Sequence, residues 1–241
     1  DIYTAKPDHL QEKVEAAQFA VTCTKHNAQY LEKLAGNSKT TIHTIYHGID
    51  TELFDSTGAP VKPEAPYRLM TVARMTEKKG LPTIYRALAI LRDKGIRFKH
   101  TLIGDGDDKE KIRQLLKEFD LEGHCQLQGT RTHAQVLDCY RQSDLFVLGC
   151  QIAENGDRDG IPNVIVESLA MGVPALSTNV SAIPEILEHQ KTGLVVPPLE
   201  PEIMADSILR LLTDLDLRKT CIENGKVLVK KGFDNKYWTA K

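Results

Sequence analysis

Two acidic residues, Asp159 and Glu167, bracket a Gly-Ile-Pro-Asn turn that leads directly into a predicted helix. Pro162 suits the first helical position, so the amides of Asn163, Val164 and the next residue are expected to face an anion there. Carboxylates on either side would accept hydrogen bonds from hydroxyl groups. This spacing suits a sugar nucleotide, which has phosphate in its middle and hydroxyls at both ends. A structural alternative is that Asp159 only caps the helix and Glu167 makes a salt bridge.

A basic loop nearer the N-terminus supplies the complementary charge. Arg74 ends a predicted strand, and Lys79 follows five residues later, just before a predicted helix. Arginine offers a bidentate fork, lysine offers a mobile charge, and the helix N-terminus adds a favourable dipole. These features predict a diphosphate site, although a solvated basic loop explains the same residues.

Three glycines lie in turns where the backbone is expected to approach a ligand closely, since glycine has no Cβ atom. Gly104 and Gly129 each follow a predicted strand, and Gly160 precedes the helix described above. The stretch IGDGDD around Gly104 is not a dinucleotide fingerprint, because position 109 is lysine. Tight turns explain Gly104 and Gly129 equally well.

The elements that must position these residues alternate regularly. Apolar, β-prone segments are found at 67–74, 98–104, 124–129, 144–150, 173–178 and 193–198. Helical segments are found at 81–95, 109–119, 133–143, 162–172, 202–214 and 215–232. This alternation predicts an α/β fold, a Rossmann-like doubly wound parallel sheet with helices on both faces. Ligands of such sheets bind at the carboxyl ends of the strands, where the loops above lie.

Residues 1–54 have a different pattern, with a predicted strand at 19–23 between two helices and a further strand before residue 50. The stretch DSTGAPVKPEAP, 55–66, has no clear period and is typical of a linker. We therefore expect residues 1–54 to pack outside the main sheet.

Composition narrows the function classes. The 241 residues carry a net charge of −2, so no overall attraction to nucleic acid is expected. No apolar run approaches about 18 residues, so no membrane span is predicted. The five cysteines are odd in number and scattered, which favours reduced thiols and a cytoplasmic location. No spacing of histidine or cysteine predicts a metal site.

Five stretches, taken in order, resemble the donor-binding domain of retaining glycosyltransferases of family 4, which have the GT-B fold. They are VARMTEKKG, IGDGD, DLFVLGC, DGIPNVIVESLAMGVPALSTNVSAIPEIL and TGLVVPP. The resemblance runs from about residue 18 to about residue 230. It implies that residues 1–57 are the end of an N-terminal acceptor domain plus a linker, that 58–231 bind the donor, and that 232–241 begin a crossover helix.

The resemblance also implies roles for individual residues. The family's E-x7-E pattern binds donor-sugar hydroxyls with its first acid and the nucleotide ribose with its second, and it reads here as Asp159 and Glu167. The first acid is thus the shorter aspartate. Arg74 and Lys79 match the cations that neutralise the donor diphosphate, so Arg74, Lys79 and Asp159 are the implied catalytic residues. The implied donor contacts are Gly104, Gly129, Gly160, Ile161, Pro162, Asn163, Val164 and Glu167.

The function implied is transfer of a hexosyl group from a UDP- or GDP-linked sugar to a glycan or lipid-linked acceptor, with no metal or other cofactor. The alternatives are a non-catalytic nucleotide-sugar-binding module and a GT-B sugar-nucleotide epimerase. In the family a functional histidine precedes a D-I-Y-like stretch, and this chain begins at DIY. We therefore expect the donor half alone, with little or no transfer activity. Such enzymes are cytoplasmic, and peripheral attachment to the inner face of the membrane is compatible with this assignment.

Overall fold

The computed structural model describes residues 2–54 and 62–236. Most of the predicted linker, 55–61, and residues 237–241 of the predicted crossover helix lie outside the described residues. Residues 2–54, the N-terminal unit, contain α1 Pro7–Ala16, β1 Phe19–Thr22, α2 Lys25–Ala35 and β2 Thr41–Thr44. β1 and β2 pair in parallel, with Phe19 opposite Thr41, and form a small sheet of their own. The expectation that this unit packs outside the main sheet is confirmed.

The main sheet has six parallel strands. They are β3 Tyr67–Val72, β4 Phe98–Ile103, β5 Cys125–Leu127, β6 Leu145–Val147, β7 Ala175–Thr178 and β8 Leu194–Val196. Their order in space is β5-β4-β3-β6-β7-β8. The order reverses between β3 and β6, so a crevice for a ligand is expected between the loops that follow these two strands. The predicted Rossmann-like α/β fold is confirmed.

Helices cover both faces of the main sheet. They are α3 Leu81–Asp93, α4 Lys109–Glu118, α5 His133–Gln142, α6 Asn163–Ala170, α7 Pro201–Thr213 and α8 Leu215–Gly232. α3, α4 and α7 share one buried apolar cluster, and α5 and α6 share the other. α8 contributes to both clusters, through Cys221 near its start and Val229 near its end. The strands are buried between these two layers, which fixes the direction in which their loops emerge.

The elements around the predicted site are shorter than the sequence suggests. The strand expected at 144–150 is only Leu145–Val147, because the chain then leaves the sheet to form the long loop before α6. α6 ends at Ala170, and Gly172 follows with a φ of 69°. Its amide donates to the Leu169 carbonyl at 3.0 Å. The left-handed turn that stops the helix therefore needs a glycine, as the sequence predicts.

Candidate functional site

A cleft of about 650 Å³ lies at the carboxyl ends of β3 and β4 and against the start of α6. This volume is within the usual range for a small-molecule site. Eight of the eleven predicted site residues line it, namely Arg74, Lys79, Gly104, Asp159, Ile161, Pro162, Asn163 and Val164. Gly129, Gly160 and Glu167 do not line it. The loops after β3 and β6 and the start of α6 thus meet at the switch point of the sheet.

Lys79 and Asp159, which sequence reasoning assigns to different parts of a ligand, contact each other directly. The Lys79 Nζ atom lies 2.7 Å from Asp159 Oδ2, and the two side chains are only 13% and 14% exposed. The Cys150 thiol donates to the same carboxylate oxygen at 3.4 Å. Sequence reasoning missed the ion pair, because Lys79 and Asp159 are 80 residues apart in the chain.

A second ion pair lies beside the first. The Lys78 ammonium lies 2.9 Å from Asp157 and 3.8 Å from Asp159. By contrast, Arg74 is exposed, and within residues 2–54 and 62–236 no carboxylate lies within ion-pair distance of it. Arg74 is therefore accessible to an incoming anion.

Two glycines explain how these charged loops come together. Gly80 has a φ of 58°, and a Cβ atom there would overlap the carbonyl oxygen of Gly149. Only glycine allows the loop after β3 to touch the loop after β6 at this point. Between the same two loops, the Gln151 amide donates to the Lys78 carbonyl at 3.0 Å. These backbone contacts hold Lys79 within reach of Asp159.

The predicted ligand-facing glycines have structural reasons of their own. Gly104 lines the cleft, but its φ is 134° and a Cβ atom there would overlap the Ala73 carbonyl oxygen. Gly129 has a φ of 65°, and its carbonyl oxygen accepts a hydrogen bond from the Gly104 amide at 2.9 Å. A Cβ atom at Gly160 would lie 3.4 Å from the Thr24 side chain, on the side of the N-terminal unit. For Gly129 and Gly160, turn geometry and packing replace the expected approach to a ligand.

The start of α6 requires one correction. Pro162 is the N-cap rather than the first helical residue, because its ψ of 122° is extended. The Ile165 amide donates to the Pro162 carbonyl at 3.0 Å, so it does not face a ligand as expected. Asn163 and Val164 both line the cleft. The N-terminus of this helix therefore offers two amides to an anion, where the sequence predicts three.

Glu167 lies one turn further along α6, outside the cleft lining and close to α5. Burial raises the pKa of its carboxyl group, and His133 and the Tyr140 hydroxyl oppose this shift. The Tyr140 hydroxyl donates to the Val164 carbonyl at 2.9 Å, so it links Glu167 to a residue of the cleft wall. The carboxylates of Asp159 and Glu167 therefore have very different surroundings.

Further residues line the cleft that sequence reasoning did not assign to it, and among them are His47, Asp105 and Arg131. Asp105 accepts hydrogen bonds from Lys109, at 2.7 Å, and from the Gly106 amide, and these contacts lower its pKa. Arg131 follows the predicted turn at Gly129, so its position after a strand was the available signal. His47 belongs to the N-terminal unit, and its approach to the cleft could not be read from periodicity.

Among the residues that the structure describes, no group of three or more histidine, cysteine, aspartate or glutamate side chains is arranged to hold a metal ion. None of the helices in the described ranges is long and apolar enough to cross a bilayer.

Fold and site together define a Rossmann-like α/β protein with a cation-lined cleft at the switch point of its sheet. The family described as "Glycosyl transferases group 1" matches residues 55–228. The chain therefore belongs to the group 1 glycosyltransferase family.

Two curated relatives and one solved structure illustrate the similarity. The amylovoran biosynthesis glycosyltransferase AmsK of Erwinia amylovora is 36% identical over 61% of this chain and 36% of its own length. A GDP-mannose-dependent alpha-(1-6)-phosphatidylinositol monomannoside mannosyltransferase of Mycobacterium tuberculosis is 28% identical over 70% of this chain and 46% of its own. The chain thus spans less than half of either relative. The Anabaena protein HepE, solved with UDP-glucose, is 19% identical, with a TM-score of 0.79 over 98% of this chain and 67% of HepE. This likeness shows a shared GT-B fold.

Proposed function

We propose that this chain is the donor-binding half of a retaining glycosyltransferase that moves a hexosyl group from a UDP- or GDP-linked sugar to a glycan or lipid-linked acceptor. The main support is the cleft, in which Arg74, Lys79 and the start of α6 lie together in a chain of the group 1 family. Two cations and the amides of Asn163 and Val164 match the charge and hydrogen-bonding needs of a diphosphate. No other cleft of comparable chemistry is needed to explain this function.

In the proposed reaction, the bond between the anomeric carbon and the diphosphate oxygen breaks. The acceptor oxygen forms its new bond to that carbon on the same face, and the acceptor proton passes to the departing diphosphate. Negative charge grows on the leaving group, so Arg74, Lys79 and the N-terminus of α6 stabilise the transition state more than the ground state. Asp159 accepts hydrogen bonds from the sugar hydroxyls and fixes the orientation of the ring.

Glu167 is proposed to accept hydrogen bonds from the ribose hydroxyls of the donor. Its support is its position one turn beyond Val164, together with the Tyr140 hydroxyl that contacts this wall of the cleft. Burial raises the pKa of the carboxyl group. Hydroxyl donors from a ribose would relieve the cost of keeping this carboxylate charged, because hydrogen bonds to the charged form favour it.

The relatives support both donor classes. HepE was solved with UDP-glucose, and the mycobacterial relative is GDP-mannose-dependent. AmsK is named for amylovoran biosynthesis, and the mannosyltransferase for a phosphatidylinositol monomannoside. We therefore propose a glycan or lipid-linked acceptor, bound by a partner domain, and a cytoplasmic enzyme attached peripherally to the membrane.

Calorimetric titration of the chain with UDP, GDP, ADP, UDP-glucose and GDP-mannose tests the donor assignment. We expect one base to be preferred, with binding weakened but still measurable in a Lys79→Met variant. Absence of binding by every nucleotide would contradict the proposal. A transfer assay with the same donors tests the assignment as a donor half, because robust turnover by this chain alone would show that no further domain is required. Donor binding without transfer, once the chain is joined to an acceptor domain, would favour the non-catalytic binding module.

A further inference from the structure

Lys79 and Asp159, which the proposed function assigns to the diphosphate and to the sugar, form an ion pair with each other. Both side chains are about seven-eighths buried, at 13% and 14% exposure, and their charged atoms lie 2.7 Å apart. A charge-assisted hydrogen bond in such surroundings is much stronger than an exposed ion pair. The cation proposed for the diphosphate is therefore already occupied by the acid proposed for the sugar.

Neighbouring groups favour this occupied state. The Cys150 thiol donates to the same Oδ2 atom that Lys79 contacts, and Lys78 lies 3.8 Å from the other carboxylate oxygen. Lys78 is itself paired with Asp157 at 2.9 Å. The two lysines and two aspartates neutralise one another, which leaves Arg74 and the exposed Arg131 of the cleft for first contact with an anion. A diphosphate without an attached sugar thus meets a site in which Lys79 is already paired with Asp159.

We propose, on the basis of the proposed function, that Asp159 is an internal competitor of the diphosphate for Lys79 and makes the site prefer nucleotide sugars to nucleoside diphosphates. A nucleoside diphosphate that takes Lys79 leaves the Asp159 carboxylate mostly buried, without its cation and beside a second anion, which is costly. A nucleotide sugar brings hydroxyl groups that donate to Asp159 as Lys79 is withdrawn. Recognition of the sugar is thereby coupled to recognition of the phosphates.

The same competition assists the release of product. Once the hexose has left with the acceptor, the hydroxyl groups that satisfied Asp159 are gone. Asp159 then returns to Lys79 and weakens the hold of the site on the nucleoside diphosphate. The competition therefore weakens binding of the nucleoside diphosphate product and leaves binding of the nucleotide sugar favoured.

The test is an Asp159→Asn variant, which keeps the shape of the side chain and removes its charge. Calorimetry compares UDP with UDP-glucose, and GDP with GDP-mannose, for the wild-type and variant chains. The nucleoside diphosphate is expected to bind the variant about tenfold more tightly, because Lys79 no longer has a charged partner. The advantage of the nucleotide sugar over the diphosphate should shrink by a similar factor.

Asp157→Asn is the matched control. It removes the same charge two residues away, but its partner Lys78 does not line the cleft. We expect a change in diphosphate affinity of less than about twofold. An equal gain in both variants would mean that net charge, and not competition for Lys79, sets the affinity, and the inference would be overturned.

A Lys79→Met/Asp159→Asn double variant leaves no unpaired buried charge, so it guards against misfolding of the single variant. In the Lys79→Met background, Asp159→Asn is expected to give no gain in diphosphate affinity, and a full gain would overturn the inference. Failure of the wild-type chain to bind any nucleotide would overturn the proposed function itself. Wild-type binding with diphosphate affinity unchanged by Asp159→Asn would overturn only the inference.

Discussion

At the scale of single residues, Glu167 is the proposed donor contact with the least direct geometry. It lies outside the cleft lining, and burial raises the pKa of its carboxyl group. If it accepts hydrogen bonds from ribose, Glu167→Ala should weaken binding of UDP or GDP by about tenfold, as expected for loss of a hydrogen bond to a charged group. Thermal stability should change little, because the side chain is partly exposed.

The control for this prediction is Asp138→Ala. Asp138 lies on α5, where it pairs with Arg141 on the exposed surface at 2.6 Å. Nucleotide affinity should be unaffected by this change. Calorimetry gives both affinities, and an affinity that stays constant in Glu167→Ala would show that the ribose assignment is wrong.

His100 illustrates a residue whose effect is on stability. Its ring is 1% exposed, with Nε2 3.0 Å from the Thr71 hydroxyl, which itself donates to the Val147 carbonyl at 2.7 Å. Nε2 must therefore donate, and Nδ1 carries no proton and has no hydrogen-bond partner among the described residues. Burial lowers the pKa of His100 to about 3. The ring is thus neutral in the folded protein at all ordinary pH values.

This neutrality predicts acid sensitivity. Below pH 6.5, the ordinary histidine pKa, the His100 ring binds a proton in the unfolded chain but stays neutral in the folded chain. The contribution to stability is complete above pH 6.5 and is lost as pH falls toward 3, by about 1.4 kcal/mol per pH unit. Urea unfolding between pH 7 and pH 4 should show a shallower loss of stability in His100→Gln than in the wild type. His9→Gln, at an exposed position on α1, should keep the wild-type slope, and an identical slope in both variants would refute the argument.

At the scale of elements, Glu185 joins the N-terminal unit to the main sheet. Its carboxylate accepts hydrogen bonds from the backbone amides of Lys25 and His26, at 2.9 and 2.8 Å. It also accepts the Tyr46 hydroxyl at 2.7 Å, and burial together with this carboxylate raises the pKa of Tyr46. Glu185, which follows β7 in the chain, thus accepts hydrogen bonds from the first turn of α2. Its negative charge also interacts favourably with the positive end of the helix dipole.

Glu185→Ala should therefore loosen α2 without unfolding the main sheet. The expected cost is about 1–2 kcal/mol of local stability, the usual value for a lost helix cap. Amide hydrogen exchange should accelerate in residues 25–35 and stay unchanged in the six-stranded sheet. Glu188→Ala removes an exposed partner of Lys191 nearby and serves as the control. Equal protection of α2 in both variants would contradict the role of Glu185.

Some of these elements and contacts could be predicted from the sequence, and others could not. The alternation of strands and helices was readable because burial on both faces selects apolar runs such as 144–150, and because a left-handed turn selects Gly172. Eight cleft residues were predictable because the carboxyl ends of parallel strands share one edge. The Lys79–Asp159 contact was not, since it depends on how closely two distant loops approach. The cap that Glu185 supplies to α2 also depends on a long-range contact, because Glu185 and Lys25 are 160 residues apart in the chain.

At the scale of the whole molecule, the N-terminal unit forms one wall of the candidate site. His47 lines the cleft, and Ile49 bridges to Asp234 beyond the end of α8. Near the start of the chain, the Arg158 guanidinium lies 4.3 Å above the ring of Tyr3. Arg158 lies between Asp157 and Asp159 in the loop after β6. The position of this loop, and with it the position of Asp159, therefore depends on a contact with the N-terminal unit.

Replacing Tyr3 tests this dependence. In Tyr3→Leu the cation–π contact is lost, which is worth about 0.5–1 kcal/mol at an exposed site. The loop should become more mobile, so affinity for the nucleotide sugar should fall by about two- to fivefold, while affinity for the nucleoside diphosphate changes less. Tyr3→Phe keeps the ring but loses the hydroxyl that donates to Asn27 at 2.7 Å. It should retain wild-type affinity, with hydrogen exchange of residues 151–161 also unchanged. If both variants lose affinity equally, the loss comes from the Tyr3 hydroxyl and not from the contact of its ring with Arg158, and the proposed dependence is wrong.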